Sequence, residues 1–142
     1  MFGILISLLS GILMSVQGVW NAEVTKQTSI WVSAGWVQLT AFVTCVVLWL
    51  FTGSKPVTGL FSVSPWYMLT GGILGAFITY TVIQGMNSLG PARAVMLIVV
   101  SQLLAAYLIE AFGIFGVEKV PFAWRRVIGM GLALAGIIIF KW

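Results

Sequence analysis

The chain contains no histidine and one cysteine, Cys45, so neither a Cys/His metal cluster nor an internal disulfide can be built from its 142 residues. Acidic residues are nearly as scarce. Glu23, Glu110 and Glu118 are the three, and no two share an uncharged run, which removes the paired carboxylates of acid–base catalysis. No Gly-rich phosphate loop is present either. These gaps leave little machinery for an enzyme, and no catalytic residue, metal site or cofactor is expected.

Charge of either sign is sparse, 7% of residues against roughly 25% in soluble domains, while 61% are hydrophobic and mean hydropathy is +1.11. So short a chain leaves much of its surface outside any core, and that surface must face lipid. The net charge of +4 comes from scattered Lys and Arg, the pattern of helix ends rather than of a nucleic-acid patch, so no nucleic-acid partner is expected. The apolar start, Phe2 to Leu13, has no basic stretch before it and no small-x-small cleavage site before Glu23. It is expected to remain as a membrane span rather than act as a signal peptide.

Five charge-poor runs are present, at about 2–22, 29–51, 66–88, 93–115 and 125–142, each near the roughly 20 residues that cross a bilayer. They predict a single transmembrane domain over residues 1–142, an all-α bundle of five helices. Arg125, Arg126, Lys141 and Trp142 bracket the shortest run, and Trp20, Trp31, Trp49, Trp66 and Trp124 fall near other helix ends, as an aromatic belt does. Trp36 lies deeper. Pro56, Pro65, Pro91 and Pro121 all fall in connections or at helix starts, where a missing N–H costs little.

With five crossings, Lys55, Lys119, Arg125 and Arg126 lie on one side of the membrane and Lys26, Arg93 and Lys141 on the other, four cations against three. So small a bias gives insertion little basis for one orientation, and dual topology is predicted. The alternative is one orientation, set by the weak bias or by an oppositely oriented partner. Two inverted copies would reproduce the inverted repeat of many secondary transporters.

Small residues suggest where helices meet. Gly3, Ser7, Gly11 and Ser15 recur every four residues on the first span, Gly71 and Gly75 form a GxxxG pair on the third, and Gly129 and Ala133 share a face on the fifth. Each stripe suits packing within the chain or a subunit contact. Five helices are too few to enclose much of a pathway, which favours an oligomer.

Polar residues inside the runs are the functional candidates, because a buried polar group in lipid must find a partner or line water. Ser10, Gln17 and Asn21 share one face of the first span. Gln84 and Asn87 are three apart on the third, and Gln84-Gly85 echoes Gln17-Gly18. Ser101 and Gln102 lie near the middle of the fourth. These residues are candidates for a small-molecule pathway, with helix-to-helix hydrogen bonding the alternative, and Trp36, Gln38, Tyr80 and Tyr107 are candidate walls. Glu110, the one carboxylate within a run, is the candidate for proton coupling, since a carboxylate in hydrocarbon sheds its charge by taking up a proton. Alternatively it lies at the interface and pairs with Lys119 or Arg125. In an inverted dimer Glu110 would level with Gln17 and Gln84 of the other copy.

Gln17-Gly18 with Asn21, Gly71-Gly72 with Gly75, Pro91, Gln102, the Phe112-Gly113 to Gly116 stretch, and Arg126 with Gly129 resemble the YdcZ-like family of small bacterial membrane proteins, grouped with the EamA-like drug/metabolite transporters. The resemblance covers nearly the whole chain. It implies a half-size unit of five helices in the bacterial inner membrane, pairing as an antiparallel homodimer among membrane lipids and transporting a small molecule. Ser101, Glu110 and Ala111 depart from the family pattern, which has Gly before the Gln and Asp-His at the acidic position. The chain is also similar in plan to the small multidrug resistance proteins, whose first helix carries an embedded Glu. Here Gln17 is the nearest polar residue, so neutral or zwitterionic substrates carry equal weight with cations. The expectation is a secondary-active transporter with its site at the subunit interface. The alternatives are a non-transporting scaffold or accessory subunit, or half of a heterodimer.

Overall fold

In the computed structural model, residues 2–53, 56–121 and 123–141 are described. Lys55 and Trp142, both used in the sequence reading, lie outside them, as does the side chain of Lys141. Five long helices follow one another: α1 (Phe2–Gln27), α2 (Ile30–Thr52), α3 (Gly71–Leu89), α4 (Pro91–Phe112) and α5 (Trp124–Lys141). Short 3₁₀ turns at Val57–Ser62, Trp66–Thr70 and Ile114–Gly116 complete the regular structure, and no strand occurs among the described residues.

Among the described residues, four helical stretches are long and apolar enough to cross a membrane: Phe2–Gln27, Ile30–Thr52, Trp66–Leu89 and Pro91–Phe112. The α5 helix has 18 residues and carries Arg125, Arg126 and Lys141 within that length, which sets it apart from the other four. Large apolar side chains along all five helices are exposed, among them Phe2, Leu50, Ile73 and Ile139, as lipid-facing residues are.

Helix ends follow local chemistry. Ser29 caps α2, its Oγ accepting from the N–H of Val32 at 3.3 Å. Gly53 and Gly113 end α2 and α4 in the left-handed conformation, with φ of 59° and 67°, which a residue without Cβ adopts at no steric cost. Gly113 therefore stops α4 at Phe112 and not at residue 115 as expected. Pro91 starts α4, where its missing N–H is harmless. The largest correction is to α1, which runs to Gln27, so that Glu23 and Lys26 lie on its last turns and not in a connection. They pair one turn apart, and the pairing of an acid with a base three residues on supports continued helix.

The chain divides into two compact units, Met1–Ser88 and Leu89–Trp142. In the first, the buried residues are concentrated near the end of α1 (Gly18, Asn21, Ala22), the start of α2 (Ser33, Ala34) and the later turns of α3 (Ile83, Met86). Mostly small side chains on α1 and α2 allow close approach. A Cβ on Gly18 would run into the terminal methyl of Met86 and lie 2.8 Å from its sulfur. Ser33 Oγ donates to the carbonyl of Asn21 at 3.0 Å, joining α2 to α1. Gln38 donates to Thr79 Oγ1 at 3.4 Å, and Trp31 stacks on Tyr80 with ring centroids 4.7 Å apart, joining α2 to α3.

In the second unit, α4 and α5 pack as a hairpin. Arg126, in the first turn of α5, reaches Glu110 near the end of α4 at 2.5 Å. The N–H of Val120 donates to the Glu110 carbonyl at 3.0 Å, which ties the connection back to the same point.

The small-residue stripes meet little. Gly3, Gly11, Gly71 and Gly129 have nothing within 4 Å of a Cβ position, and Ser7 Oγ donates to the Gly3 carbonyl of its own helix. Gly75 does meet a neighbour, the Gln38 amide nitrogen at 3.2 Å. Ala133 lines an apolar cleft with Leu103 and Leu104 of α4.

Candidate functional site

Gln17 and Asn21 are one turn apart on α1, so both carboxamides project on one side. There α2 supplies Trp36 and Thr40, again one turn apart, and the two helices enclose a groove of about 730 Å³. Its polar and aromatic end holds Gln17, Trp20, Asn21 and Trp36; Ile6, Leu9 and Leu13 continue it along α1 as an aliphatic trough, with Ser10 between. Side chains on one face of α1 from Ile6 to Val24 line it, a run of about 27 Å at 1.5 Å per residue, close to the thickness of the hydrocarbon layer.

Asn21 is only 8% exposed although it lines the groove. Its backbone carbonyl accepts from both Ser33 Oγ and Thr25 Oγ1, which fixes the main chain on which the carboxamide stands. Gln17 is exposed and lies on the same wall. Among the described residues, no charged side chain lines the groove. The indole faces of Trp20 and Trp36 can attract a cation by about 0.5–2 kcal/mol. Taking an ion out of water costs several kcal/mol unless a counter-charge meets it, so the indoles alone do not offset that loss. Neutral hydrogen-bonding groups face a smaller penalty.

The groove gathers Gln17, Asn21 and Trp36 from the candidate set, together with Ser10. It does not gather the rest. Tyr80 is stacked on Trp31, and Gln38 engages Thr79 and Gly75. Gln84 and Asn87 are exposed on α3. Ser101 and Gln102 are exposed on α4, in the other unit, where Ser101 Oγ donates to the Leu97 carbonyl at 2.8 Å.

Glu110 belongs to a second, smaller cavity of about 310 Å³ lined by Tyr107, Arg126, Gly129 and Met130. Its partner is Arg126, not Lys119 or Arg125. Both side chains are about two-fifths exposed, 41% for Glu110 and 44% for Arg126. Trp20 and Thr40 also line the groove, beyond the candidates that sequence offers. Trp20 shows in sequence only as a belt residue, but it directly precedes Asn21; Thr40 is four residues from Trp36, a helical spacing that identifies it once the α1–α2 pairing is known.

Long apolar helices bearing a groove with a polar end make this chain a multi-pass integral membrane protein. Its sequence matches the family described as "Putative inner membrane exporter, YdcZ" over residues 2–139. The chain belongs to that family and is a protein of the inner membrane. It is similar to inner membrane protein YdcZ of Escherichia coli (strain K12), with 29% identity over 112 residues, covering 76% of this chain and 74% of that protein. No solved structure matches it.

Proposed function

We propose that this chain is a secondary-active transporter of a small molecule, exporting it as the family description suggests, and that two copies inserted in opposite orientations form the working unit. The observation that carries the reading is the α1–α2 groove. Two carboxamides and two indoles are set into a hairpin whose helices have membrane-spanning length and apolarity. Polar groups at such depth line a path or bond a neighbour. The groove side of Asn21 and the exposure of Gln17 favour the path. Gln84, Asn87, Ser101 and Gln102 are proposed as further pathway residues, and Tyr80 as a buttress of the groove through Trp31.

The proposal takes α5 as a fifth crossing. Its 18 residues span about 27 Å, its cations stand at the two ends, and Arg126 is neutralised by Glu110. Five crossings leave the cation balance at four against three, which supports dual topology and an antiparallel homodimer. Glu110 is the proposed proton-coupling group: taking up a proton dissolves its pair with Arg126 and loosens the α4–α5 hairpin there.

A second reading follows from the charge of α5. If α5 lies along the surface, Lys141 joins the side of Lys55, Lys119, Arg125 and Arg126, and the balance becomes five against two. One orientation then prevails, and the chain is an accessory subunit or half of a heterodimer with an inverted partner.

Transport is tested with purified protein in proteoliposomes, by solid-supported-membrane electrophysiology and tracer counterflow, across organic cations, amino acids, sugars, neutral aromatic amides and anions, with and without a pH gradient. The expected result is a signal from at least one class, reduced about tenfold or more by Gln17→Leu, the scale of one lost hydrogen bond in a binding step. Silence in both assays across the panel contradicts the transporter.

A further inference from the structure

We infer that the α1–α2 groove takes an uncharged molecule, one with an aromatic ring bearing an amide-type edge and an apolar remainder. The inference rests on the reading of that groove as the substrate site and names what the site selects. Its first support is electrostatic. Among the described residues the lining contains no Lys, Arg, Asp or Glu, and the chain contains no His at all. A ligand that brings a charge into the groove therefore meets no opposite charge, in surroundings too apolar to replace its water. The second unit makes a contrast, since charge does line cavities there: Glu110 and Arg126 pair in one, and Arg93 lines another.

The polar end fits neutral hydrogen-bonding groups. Gln17 and Asn21 each offer an N–H₂ donor and a carbonyl acceptor. An amide edge on the ligand engages both functions at once. An ammonium or amidinium uses only the carbonyl oxygens, and a carboxylate uses only the N–H₂ groups. Asn21 is more than nine-tenths buried and its backbone carbonyl accepts from Ser33 and Thr25, so one of the two carboxamides stands on a fixed main chain. Trp20 and Trp36 offer ring faces beside them, and Ile6, Leu9 and Leu13 offer an aliphatic trough for the remainder. The volume of about 730 Å³ holds a molecule of that kind.

Three nearly isosteric probes isolate charge from shape: 4-fluorobenzamide, 4-fluorobenzamidinium and 4-fluorobenzoate. Their binding is followed by fluorine NMR line broadening with the full chain in lipid nanodiscs, protein-free nanodiscs serving as the control for partition into lipid. The benzamide is expected to bind about tenfold or more tightly than either ion, and Gln17→Leu or Asn21→Leu to weaken it about fivefold or more. Gln17→Glu supplies the missing counter-charge and is expected to reverse the order in favour of the amidinium, a gain that misfolding cannot mimic.

Amidinium binding equal to or tighter than benzamide in the unaltered protein, lost on Gln17→Leu, overturns the uncharged class and leaves the groove as the substrate site. Benzamide binding unchanged by Gln17→Leu and Asn21→Leu overturns the groove itself. Broadening no greater than in protein-free nanodiscs for all three probes overturns the inference, since the groove then holds only lipid.

Discussion

Glu110 illustrates how much one residue's partner decides. As the one carboxylate in an apolar run it is an obvious candidate for proton exchange, but with Arg126 at 2.5 Å it is also half of an ion pair that closes a hairpin. Part-exposed pairs of this kind contribute modestly, so a double-mutant cycle of Glu110→Gln and Arg126→Gln, read by thermal unfolding in detergent, is expected to give a coupling of about 0.5–1 kcal/mol. Coupling near zero would show that the two charges act independently. The presence of a carboxylate at this depth was legible in sequence; its partner was not, because Arg125 and Arg126 are adjacent and helix rotation alone determines which one faces α4. The same holds for Gln38. As a polar residue within a run it is a candidate wall, yet it turns to Thr79 and Gly75, whereas Trp36, two residues earlier and so well round the helix, turns to α1.

At the scale of elements, length and apolarity carry the helices, and end chemistry corrects their bounds. The charge-poor runs locate all five, but α1 continues through Glu23 and Lys26 because their mutual pairing allows charge on a helix. Packing between helices is less legible. Small residues at four-residue spacing point to Gly3, Gly11 and Gly129, which face open space, while the tight approach is at Gly18 against Met86. Which glycine is crowded depends on the register between α1 and α3, and a single helix's sequence does not contain that register. Gly18→Ala is expected to cost less than about 1 kcal/mol, since the end of a methionine can swing aside. Gly18→Leu is expected to cost about 1–3 kcal/mol by overpacking, and Met86→Ala in the same chain to restore much of the loss. Thermal unfolding of the three proteins checks this; no recovery in the double variant would place the strain elsewhere.

For the whole molecule, the orientation of α5 decides between a self-sufficient inverted pair and a single-orientation subunit. The candidate site was legible in part: Gln17 and Asn21 one turn apart pointed to a polar face, and family resemblance pointed to transport. The enclosing role of α2 required the hairpin's own geometry. The most direct measurement is labelling of intact cells from outside with an impermeant maleimide, in a Cys45→Ala background carrying either Thr28→Cys, in the α1–α2 connection, or Thr58→Cys, in the α2–α3 connection. An inverted pair predicts that both positions label, each in roughly half of the molecules. Labelling of Thr28→Cys alone contradicts it, and would leave this chain with one orientation, set by the five cations gathered on the other side.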